Sequence, residues 1–294
     1  MQGICSLQYP FKINNNMKFR ELIIVLFTVL FVQISNLELS AEDKYNRIVS
    51  LSPSITQSLY YLGVQDKIFG CTSYCQMAIS DGKEIVSSAI KPNLEKIAAI
   101  KPDLVIASGF IQDRDIRTLR SLGIKVKIIN TPKSFEEICE QFESLGELTG
   151  KIDKAREIVS KSRTRIRIIQ KKRETQTYKP NIFIQIGASP VFTVIPGTFM
   201  NDYITFCGGN NIASNLKSGA VGTEFILSKD PDFIFVVTMG IAGNEEIKKW
   251  EMFKSLKAVK SKKIFVLESD IACQPTPLSF AETLEKIDKY ISKK

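Results

Sequence analysis

Residues 93–103 read Asn-Leu-Glu-Lys-Ile-Ala-Ala-Ile-Lys-Pro-Asp, and residues 222–232 repeat the phrase as Gly-Thr-Glu-Phe-Ile-Leu-Ser-Lys-Asp-Pro-Asp. Each copy runs directly into an apolar stretch, 104–107 in the first and 233–237 in the second. Proline cannot continue a helix because it lacks a backbone N–H, and Pro-Asp is typical of a tight turn. Each copy therefore predicts a short helix, a turn and a buried strand.

The two copies place a glutamate at the same point, Glu95 in the first and Glu224 in the second. Each falls on the first turn of its predicted helix, where the helix dipole favours a carboxylate by about 0.3–1 kcal/mol. This effect explains one such glutamate but not a matching pair. We therefore predict two similar lobes whose glutamates bind a symmetric partner. A charge-assisted bond from each carboxylate to an arginine would contribute about 1.5–3 kcal/mol.

Outward from the repeat, strand-like and helix-like segments alternate along most of the chain. Strands are predicted at 47–51, 67–70, 104–107, 126–129, 182–186, 192–194, 233–237 and 264–267. Helices are predicted between them, for example one that Gly63 ends and one that the capping box of Ser134 and Glu137 begins. Residues 71–92 have little periodicity and are predicted to form a long loop. The alternation indicates an α/β fold with largely parallel sheets.

Residues 151–174 form the longest uninterrupted helical pattern, with apolar residues at helical spacing and basic residues between them. One interpretation is an ordinary surface helix. We favour a rigid bridge between lobes, because strands and helices alternate again after it. The predicted division is an N-terminal lobe at 42–150, the connecting helix at 151–174 and a C-terminal lobe at 175–294. A stiff connection predicts only a small movement of the lobes on ligand capture.

The N-terminus has the order of a secretory signal peptide. Lys18 and Arg20 precede the apolar run 22–32, and polar and small residues follow it. We therefore predict a signal peptide at 1–41, with Met17 as a plausible start. An uncleaved anchor is the alternative, although the run is short for a membrane span.

The cysteines bear on location and on chemistry. Cys5 precedes the apolar run and no cysteine follows it closely, so we expect no lipoprotein anchor and a periplasmic location. Five cysteines remain after residues 1–41, and an odd number leaves at least one unpaired or paired between chains. Cys71 and Cys75 have a spacing within the zinc range but lack a second ligand pair. They could form a local bridge, act as two small side chains, or be the centre of an exported redox protein or enzyme.

Composition excludes several functional classes. Histidine is absent, which removes His-based triads, His-containing zinc sites and the usual general base at neutral pH. The net charge is +9, with basic residues concentrated at 154–179 and 248–263. A nucleic-acid surface is one interpretation, but no recognition helix stands out, and solvated helix faces explain the charge more simply. We expect a monomer that is not an enzyme, binds no nucleic acid and holds no cofactor or resident metal.

The order of these segments resembles the cobalamin, siderophore and haem class of periplasmic solute-binding proteins, the BtuF-like family that serves ABC importers. The resemblance spans about residues 46–290. The segments that carry it are 47–53, 72–75, 92–107, 122–126, 183–193, 207–212 and 224–237. It implies two Rossmann-like lobes joined by a single long helix, with a ligand cleft between them. It also implies that Glu95 and Glu224 dock onto arginines of a dimeric permease.

The resemblance implies a metal chelate as ligand, either a corrinoid or an iron–siderophore, with haem as the alternative. Clefts of this kind need aromatic walls and a few polar groups. Candidates at expected strand ends and loops are Tyr74, Ser88, Phe110, Gln185, Phe192, Asp270 and Gln274. For each of them, burial within its own lobe is an equally good explanation.

Two departures from the family pattern bear on the ligand. Cobalamin binders of the family place tryptophans just before each repeat, where this chain has Ser-Ser-Ala-Ile at 87–90 and Gly-Ala-Val-Gly at 219–222. Haem cannot be held by histidine, whereas ligation by Tyr74 stays open. An anionic siderophore would suit a basic cleft.

Some relatives also tie the Cys-Gly-Gly segment to a C-terminal cysteine that this chain lacks, so Cys207 is either free or paired with Cys273.

Overall fold

The computed structural model describes residues 45–88, 91–238 and 242–292. The predicted signal peptide at 1–41 lies outside these ranges. None of the helices within them combines the length and the apolar character that a membrane span requires.

A parallel sheet of five strands organises the first part of the described chain. Its strands are β1 (Ile48–Leu51), β2 (Ile68–Thr72), β3 (Glu84–Ser87), β4 (Leu104–Ser108) and β5 (Val126–Ile129). They lie in the order β3-β2-β1-β4-β5, and every neighbouring pair is parallel. Its helices are α1 (Pro53–Leu62), α2 (Gln76–Ser80), α3 (Leu94–Ile100), α4 (Asp113–Ser121) and α5 (Phe135–Leu148). We call this sheet with its helices the N-terminal lobe.

The prediction of a long loop at 71–92 is wrong, because this segment contains α2 and β3. Both elements are too short for a periodicity to be visible, and β3 is an edge strand whose first two residues are exposed. Elsewhere the residues predicted to begin and end helices do so in the structure. Pro53 begins α1, and Gly63 ends it with a φ of 75°, a conformation in which glycine carries no steric cost.

A second sheet follows the long helix α6 (Ile152–Glu174). Its strands are β6 (Asn181–Ala188), β7 (Val191–Thr193), β8 (Asn210–Asn211), β9 (Ala220–Val221), β10 (Phe233–Thr238) and β11 (Ile264–Glu268). The order is β11-β10-β6-β7-β9, with β8 beside β6. The strands β6, β10 and β11 are parallel, and β7 runs antiparallel to β6 and β9.

The remaining helices are α7 (Phe199–Phe206), α8 (Thr223–Lys229), α9 (Ala242–Glu251), α10 (Lys257–Lys260), α11 (Ser269–Ala272) and α12 (Pro277–Ser292). We call the second sheet with these helices the C-terminal lobe. The expected fold class, α/β with two Rossmann-like lobes and a long helix between them, is confirmed.

One apolar core extends across both lobes. It contains Ile106 of β4 and Ile184 of β6, and Ile166 of α6 packs in the same cluster. Phe280 of α12 is fully buried there, with its ring centroid 4.7 Å from that of Phe135 in α5 and 4.4 Å from that of Tyr203 in α7. The lobes are therefore joined by shared packing as well as by the connecting helix.

Ion pairs fasten α12 along α6. The guanidinium of Arg165 donates two hydrogen bonds of 2.8 Å to the carboxylate of Glu285. Arg173 is buried and donates to Asp288 at 2.7 Å. Bidentate arginine–carboxylate bonds fix geometry as well as adding energy, so the C-terminal helix is tied to the connecting helix at two points.

The sequence repeat is a repeat of structure. The carboxylate of Asp103 accepts hydrogen bonds from the backbone N–H groups of Asn46 (2.7 Å) and Arg47 (3.1 Å), at the start of β1. The carboxylate of Asp232 accepts one from Asn181 (2.8 Å), at the start of β6. Each aspartate thus ties the strand that follows its turn to the neighbouring parallel strand.

The same turn geometry precedes each aspartate. Lys101 ends α3 with a φ of 51°, and Asp230 ends α8 with a φ of 45°. Both residues adopt the left-handed conformation although neither is glycine. The proline that follows each of them cannot extend the helix. The proline and the aspartate of the repeat are thus explained by the turn itself.

Candidate functional site

Two cavities lie between the lobes, where the carboxyl ends of the N-terminal strands meet the C-terminal lobe. The larger has a volume of about 210 Å³ and is lined by residues that follow β1, β4 and β5, with Phe199 and residues 273–275 on the opposite side. The smaller has a volume of about 70 Å³ and lies against α1, the start of α2 and Asp270. Pro53 and Gln274 line both cavities. In α/β sheets, ligands bind outside the carboxyl ends of the strands, so this is the candidate ligand cleft.

The walls of the cleft are apolar and neutral polar. The larger cavity presents the aromatic rings of Phe110 and Phe199 together with the amides of Asn130, Gln141 and Gln274. Among the described residues, no lysine or arginine lines either cavity, and the single charged side chain is that of Asp270. The basic cleft considered for an anionic siderophore is therefore not found here.

The structure brings three of the seven candidate ligand-binding residues to the cleft. Phe110 lines the larger cavity and is 68% exposed, Asp270 lines the smaller one, and Gln274 lines both. Tyr74 does not line either cavity, but it is 54% exposed in the turn between β2 and α2, next to a residue that does. Phe192 is 41% exposed in β7, just beyond the carboxyl end of β6.

Ser88 and Gln185 lie elsewhere. Ser88 is exposed after β3, and its hydroxyl accepts a hydrogen bond from the backbone N–H of Lys91 at 3.2 Å. Gln185 is buried: its amide donates to Glu246 at 2.9 Å and accepts from the indole of Trp250 at 2.7 Å. It lines a separate cavity of about 220 Å³ within the C-terminal lobe. Their proposed ligand contacts remain predictions.

Sequence reasoning missed several cleft residues, notably Asn130, Gln141 and Gln57. Asn130 directly follows β5, so its position after a parallel strand was a usable signal. Gln141 and Gln57 lie within helices, and nothing in their sequence context distinguishes them from solvent-facing glutamines.

Glu95 and Glu224 are both exposed on the first turns of α3 and α8. Within the described residues, neither carboxylate makes a hydrogen bond or an ion pair, although the aspartate of each repeat is engaged by the backbone. The carboxylate is free for a contact outside the chain in each lobe.

The cysteines within the described ranges, 71, 75, 139, 207 and 273, are free thiols. The alternative pairing of Cys207 with Cys273 is not formed. The thiol of Cys207 is buried and lies 3.8 Å from the carbonyl oxygen of Leu284, to which it donates. Burial raises the pKa of Cys139 to about 12. No group of three or more Cys, Asp or Glu side chains in these ranges is arranged to hold a metal ion.

Comparison with known proteins agrees with this architecture. The model of the family described as "Periplasmic binding protein" matches residues 48–271. A vitamin B12-binding protein of Photorhabdus laumondii is 31% identical over 211 residues, which cover 70% of this chain and 74% of the relative. The uncharacterized ABC transporter substrate-binding lipoprotein YvrC of Bacillus subtilis is 29% identical over 259 residues, 86% of this chain and 82% of the relative.

A solved structure has the same fold. The periplasmic vitamin B12-binding protein BtuF of Vibrio cholerae superimposes with a TM-score of 0.71 at 26% identity, covering 84% of this chain and 97% of that protein. These relatives are named as binding proteins, and one of them is named as a lipoprotein. The resemblance inferred from the sequence is confirmed, and the chain belongs to the periplasmic binding protein family of ABC transporters.

Proposed function

We propose that this protein is the substrate-binding component of an ABC importer, which captures a corrinoid in the periplasm and delivers it to a dimeric permease without catalysing a reaction. The observation that carries the proposal is the pair of exposed glutamates, Glu95 and Glu224, at equivalent positions of two lobes. The fold uses the proline and the aspartate of each repeat but neither glutamate. A residue that the fold does not need, present twice at the same point, is suited to a two-fold partner.

The physics of docking supports this role. A permease dimer presents the same surface twice, so two matching carboxylates can each meet an arginine of one subunit. Each such bond contributes about 1.5–3 kcal/mol. Because the lobes share one core and α12 is tied to α6, the separation of the glutamates changes little. A fixed separation sets the orientation of the carrier on the permease.

The chemistry of the cleft favours a corrinoid over an anionic iron–siderophore. A corrin ring carries neutral amide side chains at its edge, and amides of this kind can exchange hydrogen bonds with the amides of Asn130, Gln141 and Gln274 that line the cavity. An anionic chelate would meet no lysine or arginine among the described lining residues, and it would meet the carboxylate of Asp270. The names of the relatives point in the same direction.

Exposed aromatic side chains offer the flat surface that a corrin needs. The chain lacks the tryptophans that cobalamin binders place before each repeat, and its single tryptophan, Trp250, is buried. Phe110 lines the larger cavity and is 68% exposed, and Tyr74, the chain neighbour of the cavity-lining Cys75, is 54% exposed. Aromatic stacking contributes about 0.5–1.5 kcal/mol beyond area burial, so these rings can replace part of the missing indole contact.

The test combines Glu95→Ala with Glu224→Ala in one variant and measures uptake of labelled cobalamin by cells. We expect uptake to be lost while cobalamin affinity, measured by calorimetric titration of the purified protein, stays unchanged. The control replaces one exposed glutamate of each lobe outside the repeat, Glu140→Ala with Glu251→Ala, and should transport normally. Undiminished uptake in the first variant would defeat the docking role.

The same titration identifies the ligand. We expect saturable binding of cobalamin by the parent protein, weakened in Phe110→Ala. An anionic ferric siderophore and haemin are titrated in parallel. Tighter binding of either one would replace the corrinoid with that ligand, and haemin bound through Tyr74 would be lost in Tyr74→Phe.

A further inference from the structure

Two cysteines stand side by side at the wall of the cleft. Cys71 is the fourth residue of β2, and Cys75 follows the turn that the backbone hydrogen bond from Cys75 N–H to the Thr72 carbonyl closes at 3.1 Å. Both side chains are buried and belong to one small cluster with Ala78. No element of the proposed transport function uses them.

The surroundings of Cys75 favour its thiolate. The hydroxyls of Thr56 and Thr72 lie 3.1 Å and 3.2 Å from its sulfur. Thr72 accepts a hydrogen bond from the backbone N–H of Tyr74, which leaves its own proton for the sulfur. The hydroxyl of Thr56 donates to the backbone carbonyl of Ser52 at 2.9 Å, so Thr72 is the hydroxyl donor to Cys75. The neighbouring Cys71 thiol is the strongest influence and, together with Thr72, lowers the pKa of Cys75 below that of an ordinary cysteine, against the effect of burial. Cys71, the donor in the pair, has its pKa raised and remains a thiol.

Cys75 can be reached from the cleft. The residue is only 2% exposed, yet it lines the cavity of about 70 Å³ between the lobes. This cavity is large enough to admit a water molecule, and hydrogen peroxide is little larger than water, so peroxide can approach the sulfur of Cys75.

We propose that Cys71 and Cys75 form a peroxide-reactive dithiol, in which Cys75 is oxidised first and Cys71 resolves the product to a disulfide. The Cys75 thiolate attacks one peroxide oxygen, the O–O bond breaks, and the leaving hydroxide takes a proton to become water. The sulfur of Cys71 attacks the resulting sulfenic acid, the S–O bond breaks, and the leaving hydroxide takes the proton of the Cys71 thiol to become a second water. Two thiols and one hydrogen peroxide thus become one disulfide and two waters. A low-pKa cysteine beside a resolving thiol is the arrangement that such chemistry requires.

The other described cysteines lack this combination. Cys139 and Cys207 lie in the shared core and line neither cavity of the cleft. Cys273 lines the larger cavity, but burial, with a smaller contribution from the charge of Asp270, raises its pKa to about 11. Cys273 is therefore the matched control, because it is reachable from the cleft without being a thiolate.

The test treats the reduced protein with hydrogen peroxide at neutral pH and follows it by peptide mapping and intact mass. We expect a Cys71–Cys75 disulfide in the parent protein and in Cys273→Ser. In Cys71→Ser, sulfenic acid should accumulate at Cys75 and be detected by intact mass and peptide mapping as the gain of one oxygen atom at that residue. In Cys75→Ser, oxidation of residue 71 should be at least about tenfold slower, because the thiolate is the nucleophile.

Three results would overturn the proposal: no disulfide in the parent protein, a disulfide that involves another cysteine, or an unchanged oxidation rate without Cys75. Serine at a buried site can impair folding, so Cys75→Ala is made in parallel, and circular dichroism verifies each variant. The readout needs neither a corrinoid nor a permease, so its failure is distinguishable from failure of the transport proposal.

Discussion

In the first copy of the repeat, the side chain of Asn93 caps α3 by accepting a hydrogen bond from the backbone N–H of Lys96 at 2.9 Å. In the second copy, Gly222 stands at the start of α8, which has no side-chain cap. The turns that follow the two helices are nevertheless alike, with a left-handed residue, a proline and an aspartate that accepts hydrogen bonds at the start of the neighbouring parallel strand. Both lobes thus have the same turn after the helix, whereas only the first lobe has a side-chain cap before it. The turn is therefore the part of the repeat that both lobes require.

The largest expected difference in unfolding free energy is between variants of the aspartate and variants of the glutamate in each copy of the repeat. Asp103→Ala and Asp232→Ala remove acceptors from backbone N–H groups, and each should lower the free energy of unfolding by about 1–3 kcal/mol. Glu95→Ala and Glu224→Ala remove no contact within the described residues and should lose only the helix-dipole contribution of about 0.3–1 kcal/mol. Urea denaturation of the four single variants measures this. A glutamate variant as unstable as its aspartate partner would show that the fold uses the glutamate after all.

A smaller effect should separate the two left-handed residues. Lys101→Gly relieves a strained φ, and the gain exceeds the backbone entropy that glycine loses, so stability should rise by about 0.5–1 kcal/mol. Asp230→Gly gains the same relief but loses a hydrogen bond from Lys257 N–H (2.9 Å) and an ion pair with its ammonium. It should be no more stable than the parent in denaturant titrations at neutral pH. Equal stabilisation of both variants would contradict this.

At acid pH, the difference in unfolding free energy between the parent protein and Asp230→Gly should become smaller. The backbone N–H of Lys257, with its ammonium group, holds the pKa of Asp230 below its usual range. A carboxyl whose folded-state pKa is lowered stabilises the fold above its unfolded pKa, and this contribution is lost as pH falls through the folded value. The advantage of Asp230 over glycine should therefore shrink when the same titrations are repeated in acid.

The smallest expected gain in stability comes from transferring the cap to the second copy of the repeat. Asn93→Ala should destabilise by about 1 kcal/mol, whereas Gly222→Asn should stabilise by only a few tenths, since glycine is itself a tolerable N-cap. The backbone at Gly222 is extended, with a φ of −83°, and a Cβ there meets nothing within 4 Å. Thermal unfolding of both variants tests the transfer. A destabilised Gly222→Asn would mean that α8 needs its glycine for another reason.

Most of the fold could be predicted from the sequence because the residues that determine each element lie close together in the chain. The Pro-Asp turns, the capping residues and the helical spacing across 152–174 all act within a few residues of one another. The segment 71–92 was misassigned because a five-residue helix and a half-exposed edge strand are too short to show a period.

The cleft was less accessible, because its walls depend on which distant segments meet. Gln185 looked like a ligand contact at the end of a strand, but its amide is bound by Trp250 and Glu246, which lie more than sixty positions further along the chain. Gln141 and Gln274 reach the larger cavity from different lobes. No local sequence pattern shows that residues from such distant segments line one cavity. The two glutamates could be singled out because the repeat that contains them is visible in the sequence itself.

The packing of Phe280 between Phe135 and Tyr203 has a consequence for dissecting the molecule. A chain severed between α6 and β6 would leave the first fragment without α12, and its apolar helix faces would lie open to water. The second fragment would keep the contact of Phe280 with Tyr203 but would lose α5 and α6, which cover the other side of α12. In sequence the two halves resemble independent domains, but each covers apolar surface of the other. Co-expressed fragments should therefore be soluble only when they associate.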